Sequence, residues 1–107
     1  MIRMIPVILN NLAGLLKAEG KYAEAEPLYR RALGIDEKAL GSEHPYTALD
    51  LSNLALLLDA KGDYAGAVPL LRRALAIYEK ALGANARSTE RVRIALQDVE
   101  GRLRGRP

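Results

Sequence analysis

Residues 9–41 read LNNLAGLLKAEGKYAEAEPLYRRALGIDEKALG, and residues 51–83 read LSNLALLLDAKGDYAGAVPLLRRALAIYEKALG. The two segments are related by a shift of 42 residues, and 23 of their 33 positions are identical. An internal repeat of this length is typical of a solenoid, in which each unit buries against its neighbours a face that it cannot bury alone. The repeat therefore decides the fold class.

Each unit contains two helical patterns that are separated by a glycine. In the first half of unit one, Leu9, Leu12 and Leu16 recur at helical spacing, and the second half shows another broad apolar face. Gly20 follows the first helix and Gly41 the second, as expected where the backbone turns left-handed at a helix end. The same positions recur in unit two, so the sequence predicts an antiparallel helix pair that is repeated.

We predict an all-α solenoid of two repeats closed by a C-terminal capping helix. The predicted parts are a single domain over residues 1–103, with repeat one at about 5–41, repeat two at about 45–83, a capping helix at about 88–103, and a disordered tail at 104–107. The capping helix is expected because the end of a repeat array would otherwise expose its apolar face. No stretch approaches the roughly 20 apolar residues that span a bilayer, so we expect no membrane span.

The charge is concentrated at the C-terminal end. The chain carries a formal net charge of +3, and this excess comes from Arg87, Arg91, Arg93, Arg102, Arg104 and Arg106 against Glu90, Asp98 and Glu100.

Cysteine is absent, which excludes disulfides and thiolate chemistry and fits a cytoplasmic location. No phosphate-binding loop, metal-ligand spacing or nucleophile motif is found, so we expect no enzyme activity, no metal and no cofactor. The single histidine, His44, is expected to cap a helix.

The residues of both units resemble the tetratricopeptide repeat. The matching signature is Asn11-Leu12-Ala13, Leu16, Gly20, Tyr22, Ala25, Tyr29 and Ala32, followed in unit two by Asn53-Leu54-Ala55, Leu58, Gly62, Tyr64, Ala67, Leu71 and Ala74. The 42-residue period and the His44-Pro45 link look like the longer variety found in kinesin light chains. The resemblance implies a right-handed stack of helix pairs, with the first helix of each pair lining a concave groove that binds extended peptides or partner helices.

The resemblance also implies which residues line this groove. They are Asn10, Asn11, Gly14 and Lys17 in the first helix, Ser52, Asn53, Leu56 and Asp59 in the third, and Arg91, Ile94, Ala95 and Asp98 in the fifth. Asn11 and Asn53 could pair with a peptide backbone, or they could form hydrogen bonds between neighbouring helices. The slot that carries a basic residue in members with a carboxylate clamp holds Ala95 here, so that clamp is not expected.

Three functions follow from these patterns as alternatives. The first is an interaction module that holds a peptide or protein partner of unknown identity in the groove. The second is a scaffold that forms a homodimer through the apolar residues of the first helix, among them Ile2, Ile5 and Ile8. The third is anion or nucleic-acid binding through residues 87–106, which we rank lower because acidic residues are interspersed there and aromatic residues are absent.

Overall fold

Five α-helices make up the computed structural model, which describes residues 3–105. They are α1 (Met4–Ala18), α2 (Tyr22–Leu40), α3 (Pro45–Ala60), α4 (Tyr64–Leu82) and α5 (Arg87–Leu103). No strand occurs in this part of the chain. The prediction of an all-α class built from helix pairs is confirmed. Two residues named above, Ile2 and Arg106, lie outside the described residues.

The helix ends repeat between the units because the same side chains recur there. Gly20 and Gly62 have φ angles of 78° and 86°, which only glycine adopts at little cost. Thr47 Oγ1 donates a hydrogen bond of 2.7 Å to the Gly41 carbonyl, which lies just before α3. Thr89 Oγ1 makes the equivalent bond of 2.8 Å before α5. These bonds satisfy carbonyls that the preceding helices leave without a partner.

His44 caps α3, as the sequence predicts. Its Nδ1 accepts a hydrogen bond of 3.0 Å from the backbone N–H of Tyr46, and Pro45 occupies the first turn of the helix. A proline tolerates this position because its missing N–H would have no intrahelical acceptor there. His44 therefore has a structural role at this connection.

The packing follows the order of the helices along the chain, as in a linear array. Each helix packs chiefly against its sequence neighbours, and α1 and α3 make a smaller contact. The molecule is only 19 Å thick in its shortest dimension, about two helix diameters. The core lies around α3, where Leu51, Leu54 and Leu57 are all fully buried. Helix α3 is covered on two sides, whereas α1 buries only Pro6, Leu9 and Ala13.

Surface arginines of the second helices form ion pairs. Arg30 pairs with Glu26 at 2.9 Å one helical turn away. Arg73 reaches Glu37 of the preceding unit at 2.6 Å, so that this pair joins the two repeats. The side chain of Asp36 is fully buried and pairs with Arg3.

Candidate functional site

Helices α1 and α3, which are the first helices of the two units, and helix α5 form one face of the molecule with two hollows. The first hollow lies between α1 and α3 and is lined by Val7, Asn10, Asn11, Gly14, Leu15, Tyr29, Leu49 and Asn53. The second hollow lies between α3 and α5 and is lined by Leu49, Ser52, Asn53, Leu56, Leu71, Tyr78, Ser88, Arg91, Val92 and Ala95. Leu49 and Asn53 border both, so the two hollows adjoin each other.

Most of the residues that the resemblance assigns to a groove lie along these hollows. Asn10, Asn11 and Gly14 line the first, and Ser52, Asn53, Leu56, Arg91 and Ala95 line the second. Ile94 borders a third, more open depression beside α5, together with Arg91, Arg87, Glu90 and Asn85. Lys17, Asp59 and Asp98 border none of the three. A binding role for any of these residues stays a prediction.

Several of these polar side chains already have partners within the protein. Ser52 is buried, and its hydroxyl donates a bond of 2.9 Å to the Ala48 carbonyl of its own helix. Asp59 accepts two hydrogen bonds of 2.9 Å from Arg102. Asn10 donates a bond of 2.8 Å to Asp50. The structure therefore uses Asn10 and Asp59 to join helices, whereas Ser52 bonds within its own helix.

Asn53 differs from these groups because its amide has no hydrogen-bond partner among residues 3–105. It is half-buried on the ridge between the two hollows. Within residues 3–105, the buried side-chain polar atoms without a partner are Asn10 Oδ1 and Asp50 Oδ2, so the amide of Asn53 is not sealed from solvent. Asn11 is exposed one repeat earlier, at the equivalent position of the first hollow. The expected hydrogen bond between helices is made by Asn10 instead.

The floors of the two hollows differ in shape and chemistry. Tyr29 lies under the first hollow, and its hydroxyl is 3.7 Å from where a Cβ on Gly14 would stand. In the second unit Leu71 stands at the position of Tyr29, and Leu56 stands at the position of Gly14. The second hollow therefore has two side chains of medium size where the first has one large side chain and a glycine. Burial raises the pKa of Tyr29 above 10.0. The hydroxyl therefore stays protonated at neutral pH and can donate a hydrogen bond.

A buried charge cluster lies where α1, α2 and α3 meet, and it adjoins the first hollow at Asn10. It consists of Arg3, Asn10, Asp36 and Asp50. Arg3 Nη2 lies 2.6 Å from Asp36 and 3.6 Å from Asp50, and both carboxyl groups are fully buried. Burial and then a hydrogen bond with Asp36 raise the pKa of Asp50 to about 7. Burial also disfavours the ionised form of Asp36, but hydrogen bonds from Arg3 and Asp50 outweigh it and lower the pKa of Asp36.

The second unit has no counterpart to this cluster. The positions equivalent to Arg3, Asn10, Asp36 and Asp50 hold Pro45, Ser52, Tyr78 and Val92. Reasoning from the sequence did not identify the cluster. The signal was present, however, because Asp36 aligns with Tyr78 and Asp50 aligns with Ile8 and Val92, so each aspartate occupies an apolar position of the repeat.

The basic C-terminal residues are partly neutralised. Besides binding Asp59, Arg102 lies over the Tyr64 ring at 5.9 Å from its centre. Arg93 donates a bond of 3.1 Å to the Ala84 carbonyl and lies 3.8 Å from Glu79. These contacts hold α5 against the preceding repeat. Anion or nucleic-acid binding through residues 87–106 stays a prediction, and no contact within the described part of the chain favours it.

Comparison with known proteins agrees with the repeat geometry. The family model described as tetratricopeptide repeat matches residues 4–80, which is most of the chain. The chain belongs to the tetratricopeptide repeat family. Tetratricopeptide repeats generally mediate protein–protein interactions, and their fold is typically a scaffold without catalytic activity. No helix between residues 3 and 105 is long and apolar enough to cross a membrane, and no group of three metal-ligating side chains is found in the same range.

The similar solved structures are also of this family. One is a crystal structure of the nearly identical TPR-like repeats of a kinesin light chain protein from Podosopora anserina, with 29% identity and a TM-score of 0.81. It matches 91% of this chain, and this chain spans only 46% of its length. A point variant of the same protein has the same identity and TM-score and is covered over 45% of its length. No curated protein sequence matches the chain. The predicted likeness to the kinesin-light-chain variety of the repeat is confirmed.

Proposed function

We propose that the chain binds an extended peptide segment of a partner protein in the groove formed by the two hollows. The observation that carries this proposal is the position of Asn53. Its amide lies on the ridge shared by both hollows and has both a donor and an acceptor to offer. A peptide that crosses the ridge presents a backbone N–H and C=O to this amide, whatever its sequence.

The lining of the hollows supports apolar side chains of the peptide as anchors. Leu49 and Leu56 are partly exposed at the rim of the second hollow, and Leu71 and Tyr78 form its buried floor. Ligand sites of this kind are mostly apolar with a few oriented polar groups. An extended peptide points successive side chains to opposite sides, so alternate residues can enter the groove while the backbone pairs with the amides.

Selection from a random peptide library on the immobilised chain provides ligands for the test. The affinity of the selected peptides is then measured by fluorescence anisotropy for the wild type and for Asn53→Ala. We expect the substitution to weaken binding about fivefold to tenfold, since a lost hydrogen bond is worth about 1 kcal/mol. Asn11→Ala should weaken the binding of those peptides that reach the first hollow. Combining the two substitutions should weaken the binding of these peptides further.

The matched control is Gln97→Ala, which removes an exposed amide of α5 that borders neither hollow. It should leave the affinity unchanged. Equal affinities for Asn53→Ala, Gln97→Ala and the wild type would contradict the proposed role of the ridge. Leu56→Arg places a charge in the second hollow and should weaken the binding of the selected peptides. If no selected peptide binds this variant more weakly than the wild type, binding in the groove is contradicted altogether.

A further inference from the structure

The outer side of α1 carries a row of uncovered apolar side chains at the N-terminal end of the array. The row consists of Ile5, Ile8, Leu12 and Leu15, which we call the end face. These residues are 55%, 55%, 45% and 64% exposed. Such exposure is unusual for four large aliphatic side chains that lie together. Contiguous apolar patches of this kind on soluble proteins commonly mark interaction sites.

The internal repeat shows what kind of surface this is. The positions equivalent to the end face in α3 are Thr47, Asp50, Leu54 and Leu57, and all four are fully buried. They are covered because α2 packs against α3. In α5 the equivalent residues are Thr89, Val92, Leu96 and Val99, which are at most 8% exposed beneath α4. The end face is therefore a surface that receives a helix in every later unit.

The spacing and charge of the end face also suit a helix. The separations of three, four and three residues follow the a/d pattern of a heptad repeat, which presents a straight apolar seam to a facing helix. From Met4 to Leu16, α1 contains no charged residue. Two copies of α1 can therefore face each other without bringing like charges together.

The opposite end of the array is closed to such stacking. Positions 51, 55 and 58 of α3, where α4 packs, are Leu51, Ala55 and Leu58, and the equivalents in α5 are Arg93, Gln97 and Glu100. Glu100 is bound by Arg72 at 2.8 Å, and Arg93 lies 3.8 Å from Glu79. A second chain therefore finds no matching apolar surface there, so head-to-tail growth into a filament is disfavoured.

We propose that the end face binds the end face of a second copy of this chain, forming a closed two-fold dimer through α1. Each end face exposes about 400 Å² of apolar surface, within the range of the largest patch on a typical monomer. Two of them bury about 800 Å², which is below the roughly 1,000 Å² of a stable specific interface and is the size of a weak, transient one. The dimer is therefore small but self-complementary, and it leaves the second hollow of the groove open.

The test measures the solution mass of the described chain by sedimentation equilibrium from about 1 to about 500 µM, since modest interfaces dissociate in the micromolar range. We expect twice the chain mass of 11.7 kDa at the upper concentrations. Ile8→Asp should move the monomer–dimer midpoint to at least about tenfold higher concentration, because it places a charge in the seam. Aspartate is also the residue that this chain holds at the equivalent position 50.

Leu103→Glu is the matched control, since Leu103 is 48% exposed at the far end of α5. It should leave the midpoint unchanged, and circular dichroism should show equal helix content in all three proteins. A helical wild type that stays monomeric up to about 500 µM would overturn the proposal. Growth beyond the dimer, or a dimer that resists Ile8→Asp and Leu12→Glu alike, would overturn it as well. None of these substitutions touches the second hollow, so the peptide-binding test is independent.

Discussion

Arg3 and Asp36 form a bidentate ion pair across the junction of α1 and α2. Arg3 Nε lies 3.1 Å and 3.0 Å from the two carboxylate oxygens, and Nη2 lies 2.6 Å from Oδ2. Asp36 is fully buried, and the Arg3 guanidinium also lies 4.0 Å from the centre of the Tyr46 ring at the start of α3. One arginine therefore connects the first three helices.

Removing this arginine should destabilise the chain strongly. Arg3→Met leaves Asp36 buried without its counter-ion, and breaking such a pair costs about 3 to 5 kcal/mol. The free energy of unfolding, measured by urea titration, should fall by this order. The triple variant Arg3→Met, Asp36→Leu, Asp50→Leu should recover much of the loss, because a packed apolar group needs no counter-ion. If the single variant is as stable as the wild type, the cluster does not hold α1 in place.

The stability should depend on pH through Asp50. Its pKa is about 7 in the folded chain and 3.8 for an ordinary aspartate, so the folded state holds a proton that the unfolded state has lost between these values. Stability should therefore fall as the pH rises from about 4 to about 7, by about 3 kcal/mol at most between pH 5 and pH 8. Asp36 has the opposite sign, because its pKa is lowered, and its contribution is lost only below pH 4.

Comparing the wild type with Asp50→Asn isolates the contribution of Asp50 to the pH dependence of stability. The variant keeps a neutral group of the same shape, so the difference in unfolding free energy between the two proteins should change with pH over this window. The other charged or polar groups around the carboxyl, namely Arg3, Asn10, Asp36, His44 and Tyr78, are unchanged in both. A difference that is constant from pH 5 to pH 8 would show that Asp50 is ionised throughout.

Glycine substitutions should change stability in opposite directions at two sites. Gly34 lies within α2, a Cβ there meets no atom within 4 Å, and the second unit has Ala76 at this position. Gly34→Ala should therefore stabilise the chain by about 0.5 to 1 kcal/mol through helix propensity. Gly20→Ala should destabilise it by about 1 kcal/mol, because the φ angle of 78° disfavours a side chain. Thermal unfolding should therefore show a higher midpoint for Gly34→Ala and a lower midpoint for Gly20→Ala than for the wild type.

The N-terminal cap of α4 should couple Asp63 to Gly66. The Asp63 carboxylate accepts a bond of 3.0 Å from the Gly66 N–H, and a Cβ on Gly66 would stand 2.5 Å from that carboxylate. The first unit has Lys21 and Glu24 at these positions and no side-chain cap. Gly66→Ala should thus destabilise the wild type but stabilise the Asp63→Lys variant. Additive effects in a double-mutant cycle would contradict this coupling.

The sequence alone determined the fold, and its family resemblance indicated candidate groove residues. Helix positions, their glycine ends and the 42-residue period are local or repeated features, so they are visible without knowing which helices touch. The resemblance to the tetratricopeptide repeat supplied the candidate groove residues, and equivalent positions of a solenoid face the same side. Asn11 and Asn53 were identified in this way, and both border a hollow of the structure.

Only the tertiary structure decided how each polar side chain is used. Arg3 precedes α1, whereas Asp36 lies in α2 and Asp50 in α3. Their meeting depends on the packing of α1 and α3 on α2, which no local pattern encodes. Asn10 and Asn11 are adjacent in sequence, yet a turn of about 100° per residue points Asn10 to Asp50 and leaves Asn11 exposed. Asp59 likewise finds Arg102 on α5, forty-three positions away. Helical phase and packing therefore separate the groups that hold the array together from those that remain free to bind.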